Sequence, residues 1–315
     1  MNQGNAITPK QNRNLLIYTG ALLILLIAST VIFGFYVLAI TAVSYGAAIA
    51  VEVLFAKARK RSIDVSWYVS PLVFALLMTP TIPLWIVAVG SAFGVFFGKA
   101  VFGGYGKNVF NPAIVGLLFI LISFPAFTAV SWFDPNLGWY TPGIDAVAAA
   151  TPLIVFNRGG EIPYTLWQML NGMMPGTIGE TFRLGILILG ILLLVLKVAD
   201  WRIPLFYLAT VFGLNALGQL FGLTGFKDPI MSLLLGGLLF GAFFVATDPV
   251  TAPMKPLAKI LYGIGLGFFT VVIRNFATFP EGVTFSIIIM NAIGPLLDTI
   301  GKEKGLSVEE TEAVV

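Results

Sequence analysis

The residues of this chain best suited to chemistry are an aspartate and a threonine separated only by small or apolar residues. Asp145 stands six positions before Thr151, and Pro152 follows the threonine. A threonine hydroxyl with no bulky neighbour on a polar loop is accessible to a modifying enzyme, so the segment indicates a modification site. It is also typical of a capped helix start, because threonine is a preferred N-cap and proline is favoured next to it. Both interpretations stay open from these residues alone.

Two further polar segments interrupt hydrophobic surroundings. The first reads Gly-Lys-Asn-Val-Phe-Asn-Pro-Ala and contains Asn108 and Asn111. The second reads Ala-Thr-Asp-Pro-Val-Thr-Ala-Pro and contains Asp248 and Thr251. Such side chains are costly at membrane depth when they have no partner. We therefore expect them either to cap broken helices or to contact a ligand.

The composition restricts the chemistry that this chain can do. Of its 315 residues, 58% are hydrophobic and 10% are charged, and the mean hydropathy is +0.94. Because soluble domains carry about a quarter charged residues, the chain is predicted to be a polytopic membrane protein. It has no cysteine and no histidine. This excludes iron–sulfur clusters, histidine-ligated haem and zinc sites built on Cys or His, and no metal site is predicted. Any redox function must use an organic cofactor.

Ten hydrophobic runs predict the helices that position these segments. Their ends can extend into the neighbouring Gly- and Pro-rich joints, because several are shorter than the ~20 residues of a full span. The runs are 15–33, 36–55, 67–78, 84–98, 112–130, 184–196, 204–221, 229–245, 257–272 and 283–297.

The distribution of basic residues predicts the orientation of the chain. If helices alternate across the membrane, 14 of the 18 Lys and Arg residues lie on the side of the N-terminus. The positive-inside rule then places both termini in the cytoplasm. Because these residues lie in loops and not on one face, they indicate no nucleic-acid partner. The predicted divisions are a cytoplasmic arm 1–14, a first membrane repeat 15–130, an extracytoplasmic segment 131–182, a second membrane repeat 183–300 and a cytoplasmic tail 301–315.

The segment 131–182 separates two groups of five helices. Because five is odd, any repeat between them is inverted across the membrane. Threonine–proline turns at 78–83 and 247–253 follow the third and eighth runs and precede glycine-rich helices, which supports such a repeat. The predicted fold is an all-α polytopic membrane protein with about ten transmembrane helices in two inverted five-helix repeats.

The three polar motifs, in this order along the whole chain, resemble the RnfD/NqrB family. Members are membrane subunits of ion-translocating, flavin-based electron-transfer complexes. The resemblance implies that Thr151 carries FMN through a phosphoester bond installed by a flavin transferase. Asp145, Ala150 and Thr151 match the pattern that the transferase reads. Ala148 stands where a hydroxyl is usual, and Ala149 stands where Gly or Ser is usual.

The resemblance also implies a second, noncovalent flavin, riboflavin, nearer the cytoplasm. Asn108, Asn111, Asp248 and Thr251 are the residues expected around it, and Pro152 lies beside the covalent site. The alternative role of Asn108 and Asp248 is helix capping. The implied partners are other Rnf-type membrane subunits, iron–sulfur subunits, a second FMN-bearing subunit, the flavin transferase and the lipid bilayer.

The function that the resemblance implies is electron transfer within an Rnf-type ferredoxin:NAD oxidoreductase that translocates Na⁺ or H⁺ across a bacterial cytoplasmic membrane. The isolated chain is expected to catalyse nothing and has no predicted catalytic residue. Two alternatives remain. One is a solute or ion channel or transporter on a urea-channel-like inverted repeat, since a fold alone does not give a function. The other is a structural anchor without flavin, which the two alanines allow.

Overall fold

The computed structural model describes residues 8–128, 132–142, 151–277 and 281–300, and these residues form helices and connecting loops without a β-strand. Fourteen α-helices occur in the described part of the chain. They are α1 (Pro9–Phe33), α2 (Tyr36–Ala58), α3 (Val69–Leu76), α4 (Leu84–Val95), α5 (Pro112–Ser123), α6 (Pro125–Thr128), α7 (Pro152–Asn157), α8 (Leu166–Asn171), α9 (Arg183–Val195), α10 (Arg202–Leu220), α11 (Pro229–Leu234), α12 (Leu238–Phe240), α13 (Pro256–Phe276) and α14 (Val283–Ile300).

Five of these helices, α1, α2, α10, α13 and α14, are long and apolar enough to cross a membrane. Three more apolar helices are shorter, namely α4 with its π-helical extension to Ala100, α5 and α9. Each of the ten predicted hydrophobic runs overlaps at least one of the observed helices. The prediction of an all-helical membrane protein is confirmed.

A shared local signal starts four of the helices, two of which begin in the polar segments. A polar residue stands directly before a proline, and its side-chain oxygen accepts a hydrogen bond from a backbone N–H in the first turn. Proline loses nothing there, because the N–H that it lacks has no partner inside the helix anyway. The four residues are Thr8, Asn111, Thr151 and Asp228.

The third and eighth hydrophobic runs are not continuous spanning helices. Helix α3 has eight residues, and the eighth run contains α11, a break and α12, which continues as a π-helix over Gly241–Val245. At the break Gly236 has φ +69°, a conformation that other residues rarely adopt. A Cβ there would lie 2.6 Å from Glu281 Oε2, so the conformation requires glycine and a larger residue would also displace the end of the Glu281 side chain.

The helices pack in the same order in the two halves of the chain. Helix α2 packs against α3 and α4, and α4 packs against α5; likewise α10 packs against α11 and α13, and α13 packs against α14. Contacts between α1 and α9 and between α5 and α14 join the two halves. Most of the described buried hydrophobic residues belong to one large cluster that includes both halves, and a small second cluster holds Leu153, Met169, Met174 and Leu235. The halves therefore share a core rather than forming separate bodies.

Glycines of α4 bring it directly against the start of α5. A Cβ on Gly94 would lie 2.4 Å from the carbonyl oxygen of Pro112, and one on Gly98 would lie 2.7 Å from its Cα. These are backbone atoms, which cannot move aside as a flexible side chain can. This close approach holds the N-terminus of α5, and with it Asn111, in place.

We expect Gly94→Ala to lower the free energy of unfolding by at least about 1–3 kcal/mol, because the added methyl group forces α4 away from α5. The matched control is Gly213→Ala in α10, where a Cβ meets no atom within 4 Å. That change should leave stability equal or raise it by up to about 1 kcal/mol through helix propensity. Thermal unfolding of both variants in detergent measures the difference. Equal melting temperatures would contradict the packing role of Gly94.

Candidate functional site

Two cavities lie near opposite ends of α5. The Thr151 cavity, of about 130 Å³, is lined by Leu121, Pro125 and Thr128 from the end of α5 and the following turn. The Asp248 cavity, of about 300 Å³, is lined by Asn111 and Pro112 from the start of α5. The twelve residues of α5 rise about 18 Å. The structure thus separates the predicted site residues into two groups, one at each end of this helix.

Thr151 forms part of the wall of the first cavity. Its Oγ1 accepts a hydrogen bond from the backbone N–H of Ile154 at 3.3 Å and so caps α7. Pro152 and Leu153 line the same cavity. Asp145 and Ala150 lie outside the described residues. The structure therefore brings together Thr151 and Pro152 of the predicted attachment site, and the helix-capping interpretation of Thr151 is confirmed.

The predicted accessibility of Thr151 was wrong for the folded chain. Only 8% of the residue is exposed. The reason is that Thr151 begins a helix instead of lying in an open loop, and the apolar first turn of α7 packs inward with Leu153 buried.

The aromatic residues of the segment 131–182 do not form one group. Trp132 is buried and lines the Thr151 cavity. Trp139 is exposed, donates from Nε1 to the carbonyl of Val31, and contacts the ring of Phe35 at the junction of α1 and α2. An apolar cradle around Thr151 therefore includes Trp132, whereas Trp139 has the exposed position typical of an interfacial belt.

A hydrogen-bonded network joins the two inner polar segments at the Asp248 cavity. Asn111 Nδ2 donates to Asp248 Oδ2 at 3.1 Å, across 137 positions of sequence. Asn111 also caps α5, with Oδ1 accepting from the N–H of Ala113 at 3.0 Å. Its own N–H donates to Asn291 Oδ1 at 3.1 Å. The predicted residues Asn111 and Asp248 therefore meet, and Asn111 serves as a helix cap as well.

The remaining two predicted residues of this group differ in position. Asn108 lines the cavity and donates from Nδ2 to the carbonyl of Phe110 at 3.1 Å. Thr251 donates to Asp248 Oδ2 at 3.4 Å but is absent from the described residues that line the cavity. Thr251 therefore contacts Asp248 without lining the cavity.

Asp248 and Tyr105 lie in loops that connect the hydrophobic runs. Burial raises the pKa of the Asp248 carboxyl above its ordinary value, and the hydrogen bonds to its oxygens offset only part of that effect. Burial also raises the pKa of Tyr105 to about 12, and the nearby Asp248 adds to the shift. The cavity thus holds a carboxyl that is reluctant to ionise and a phenol that stays protonated at neutral pH.

A buried ion pair lies beside the Asp248 cavity. Lys99, in the π-helical turn after α4, lines the cavity, and its Nζ lies 2.6 Å from Glu52 Oε1 and 3.3 Å from Asp64 Oδ2. Lys99 and Glu52 are both buried. Glu52 lies inside the hydrophobic helix α2, where an ionisable residue is a functional candidate, and Lys57 and Arg59 follow it near the end of that helix. In the structure its partner is Lys99, because the wide π turn directs Lys99 inward.

The sequence did not predict the charged cluster at the break between α11 and α12. Arg183 Nε donates to the carbonyl of Leu234, and Arg274 Nη2 donates to the carbonyl of Leu235 at 3.1 Å. Glu281 Oε2 accepts from the N–H of Gly237 at 3.2 Å. Arginines thus satisfy the carbonyls that end one helix, and a carboxylate satisfies the N–H that begins the next. The sequence signal for this cluster was an arginine at the edge of a hydrophobic run, since Arg183 directly precedes the sixth run and Arg274 follows the ninth.

The fold and these two cavities define an all-helical membrane protein whose broken helices enclose a cavity near each end of α5. Residues 8–306 match the sequence profile of the NQR2, RnfD, RnfE family. The chain belongs to this family, and the predicted resemblance is confirmed.

Curated relatives agree with this membership. The chain is 36% identical, over 90% of its length and 87% of the relative's, to the D subunit of the Na⁺-translocating ferredoxin:NAD⁺ oxidoreductase complex of Acetobacterium woodii. It is similar to the B subunits of the Na⁺-translocating NADH-quinone reductases of Ectopseudomonas mendocina, at 38% identity, and of Azotobacter vinelandii, at 39%. Each of these two matches covers 78% of this chain and 62% of the relative.

We expect Lys99→Met to lower the free energy of unfolding by about 3–5 kcal/mol, because it leaves the Glu52 carboxylate buried without its partner. The double variant Glu52→Leu/Lys99→Met should recover most of that loss, since it removes both charges. Unfolding in detergent measures both variants. Lys57→Met, at an exposed lysine of the same helix as Glu52, is the control and should change stability by less than about 0.5 kcal/mol. A double variant as unstable as the single one would contradict this account.

Proposed function

We propose that this chain is the D-type membrane subunit of an Rnf-type, ion-translocating ferredoxin:NAD oxidoreductase complex and carries electrons through covalently bound FMN. The observation that carries the proposal is the position of Thr151 in the wall of a cavity formed by broken helices, in a chain of this family. The relative from Acetobacterium woodii, which matches over most of both lengths, is named as the D subunit of a Na⁺-translocating complex. Flavin carries out redox chemistry without Cys, His or metal ligands. The proposed function is therefore compatible with a chain that has no Cys and no His.

The proposed membrane topology has ten spans in two inverted repeats of five, with both termini in the cytoplasm of a bacterial cell. The repeated packing order of the helices supports it. The first repeat takes residues 15–130, the second takes 183–300, and 131–182 faces the outside. The Thr151 cavity then lies on the outer side and the Asp248 cavity on the inner side. The arm 1–14 and the tail 301–315 lie in the cytoplasm.

The Thr151 cavity fits a phosphate-linked flavin in its chemistry. Its walls are mainly apolar, as an aromatic ring system requires, and Thr151 supplies the oxygen for the phosphoester. The hydroxyl of Thr79, 4% exposed, is on the same wall and has no hydrogen-bond partner, so it is available to a bound group. Asp145 and Ala150 complete the pattern read by the flavin transferase. Because Thr151 is buried, we expect the transferase to act before α7 packs.

The Asp248 cavity fits riboflavin, the second proposed cofactor. A flavin has a polar pyrimidine edge that donates and accepts hydrogen bonds, and Asn108, Asn111 and Asp248 offer both kinds of group. Tyr18 and Val69 give the opposite wall apolar surface. Thr251 acts through Asp248.

The remaining parts of the proposal concern partners and coupling. Ferredoxin and NAD bind other subunits, and electrons reach this chain from iron–sulfur subunits, a second FMN-bearing subunit and other Rnf-type membrane subunits. The isolated chain has no turnover of its own. Electron transfer through it is coupled to movement of Na⁺ or H⁺. The Na⁺-translocating complexes of the named relatives support this coupling.

We expect wild-type protein co-expressed with its flavin transferase to give a fluorescent band in a denaturing gel, and Thr151→Ala to give none. Thr165→Ala is the matched control, because Thr165 is also an N-cap threonine in the same segment, at the start of α8. It should keep the fluorescence. If Thr151→Ala were as fluorescent as wild type, the flavin would be attached to another residue. A dark wild type, with the transferase active on a second substrate, would favour the channel or structural-anchor alternatives instead.

We expect Asn111→Ala to lower the content of noncovalent flavin by at least about fivefold, because it removes a hydrogen-bonding amide from the Asp248 cavity. Covalent flavin should not change. Acid precipitation, followed by chromatography of the released flavin, measures the noncovalent fraction. Asn215→Ala is the control, since Asn215 is a buried asparagine whose Nδ2 donates to Val211 within α10, away from the cavity. Equal losses in the two variants would contradict a binding role for Asn111.

A further inference from the structure

Arg183 is the fully buried cation of the Thr151 cavity. It begins α9, is 1% exposed and lines the cavity together with Thr151. Its Nε donates to the carbonyl of Leu234, and its Nη1 donates to those of Met169 and Thr181 at 3.1 and 3.0 Å. Its Nη2 is buried and has no hydrogen-bond partner. A buried, charged N–H donor without an acceptor is costly, so this atom is a position where a ligand oxygen is expected.

Among the residues that the structure describes, Arg183 forms no ion pair with a carboxylate at the cavity. Glu281 lies 3.5 Å from Arg274 and offsets that arginine.

Glu180, the other carboxyl at the cavity, accepts from the N–H of Thr177 at 3.0 Å. Burial raises the pKa of Glu180, and the nearby Glu281 raises it further. The hydrogen bond from Thr177 and the charge of Arg183 offset only part of this shift. Glu180 is therefore less readily ionised than an ordinary glutamate, and it forms no ion pair with Arg183 in the described part of the chain.

The other arginine near Thr151 in sequence is a poor candidate for this charge balance. Arg158 follows the end of α7 and is exposed to solvent. The cavity itself offers the Arg183 guanidinium and the unpartnered hydroxyl of Thr79. Both are donors, and phosphate oxygens accept bonds from guanidinium groups with good geometry.

We propose that Arg183 is the counter-ion of the phosphate group that joins the flavin to Thr151. The inference rests on the proposed attachment at Thr151. A phosphate esterified at both ends carries one negative charge, which would balance the charge of Arg183. Arg183 would thus be a positioning residue, because it holds the phosphate link and also ties that link to the broken end of α11 through Leu234.

Solid-state NMR on labelled wild-type protein tests the contact without any substitution. With ¹⁵N-arginine incorporated, we expect the ³¹P signal of the covalent flavin to lose intensity through dipolar coupling to guanidinium nitrogens. Arg158→Gln and Arg274→Gln should keep that coupling, because the first arginine is exposed and the second is absent from the described lining of the cavity. A flavinylated protein with no ³¹P–¹⁵N coupling would overturn the proposal. A protein that carries no covalent flavin would instead overturn the attachment at Thr151.

A stability measurement provides a second readout. The melting temperature of each variant is compared with and without co-expressed transferase. We expect flavinylation to raise the melting temperature of wild type, and Arg183→Gln to lose at least half of that rise. Arg274→Gln removes an arginine that caps the same broken helix and should keep the full rise. If flavinylation raised the melting temperature of Arg183→Gln as much as that of wild type, the proposal would be contradicted. If Arg183→Gln does not fold, the ³¹P–¹⁵N coupling measured on wild-type protein decides.

Discussion

The requirement that every backbone polar group inside a lipid bilayer find a partner within the protein underlies the rest of this structure. Regular helices meet it by themselves, but the helical segments here are interrupted, and each interruption leaves N–H and carbonyl groups without helical partners. Side chains satisfy them. Asn111 caps α5, and Arg183 and Arg274 satisfy carbonyls near the end of α11. Polar residues therefore accumulate where helices break, and both cavities lie at these places.

This constraint links packing to site geometry. The glycine surface of α4 allows close contact with the start of α5, which fixes Asn111. Asn111 in turn reaches Asp248 in the other half of the chain. At the opposite end, the carbonyls of Leu76 and Met78 after α3 accept from the N–H groups of Gly179 and Ile178. The Asp248 cavity is thus bridged by a side-chain contact between the two halves, and backbone hydrogen bonds join the first half to the segment 131–182 beside the Thr151 cavity. Residues of both halves line each cavity, so neither half could form either site alone.

The sequence was informative wherever one local signal determines a local structure. Hydrophobic runs gave the helices, and a polar residue before proline gave the starts of α5 and α7. Properties that depend on tertiary packing could not be predicted from local sequence patterns. The burial of Thr151 follows from how α7 packs, and the pairing of Glu52 with Lys99 follows from a π turn that a regular helical pattern does not foresee. The break at Gly236 was not predicted, because its positive φ is visible only in the folded chain.

The difference in charge between the two cavities agrees with the two proposed flavins. At the Asp248 cavity, the charge of Lys99 is already offset by Glu52 and Asp64. Because the charge of Lys99 is already paired, this cavity does not need an anionic ligand, and riboflavin has no phosphate. At the Thr151 cavity, Arg183 has no carboxylate partner among the residues that the structure describes. Burying a cation without a partner costs free energy. An anionic phosphate link would offset that cost at the Thr151 cavity but not at the Asp248 cavity. The two cavities would therefore discriminate between the cofactors by charge, since each flavin has the same ring system and its polar edge alone would not tell them apart.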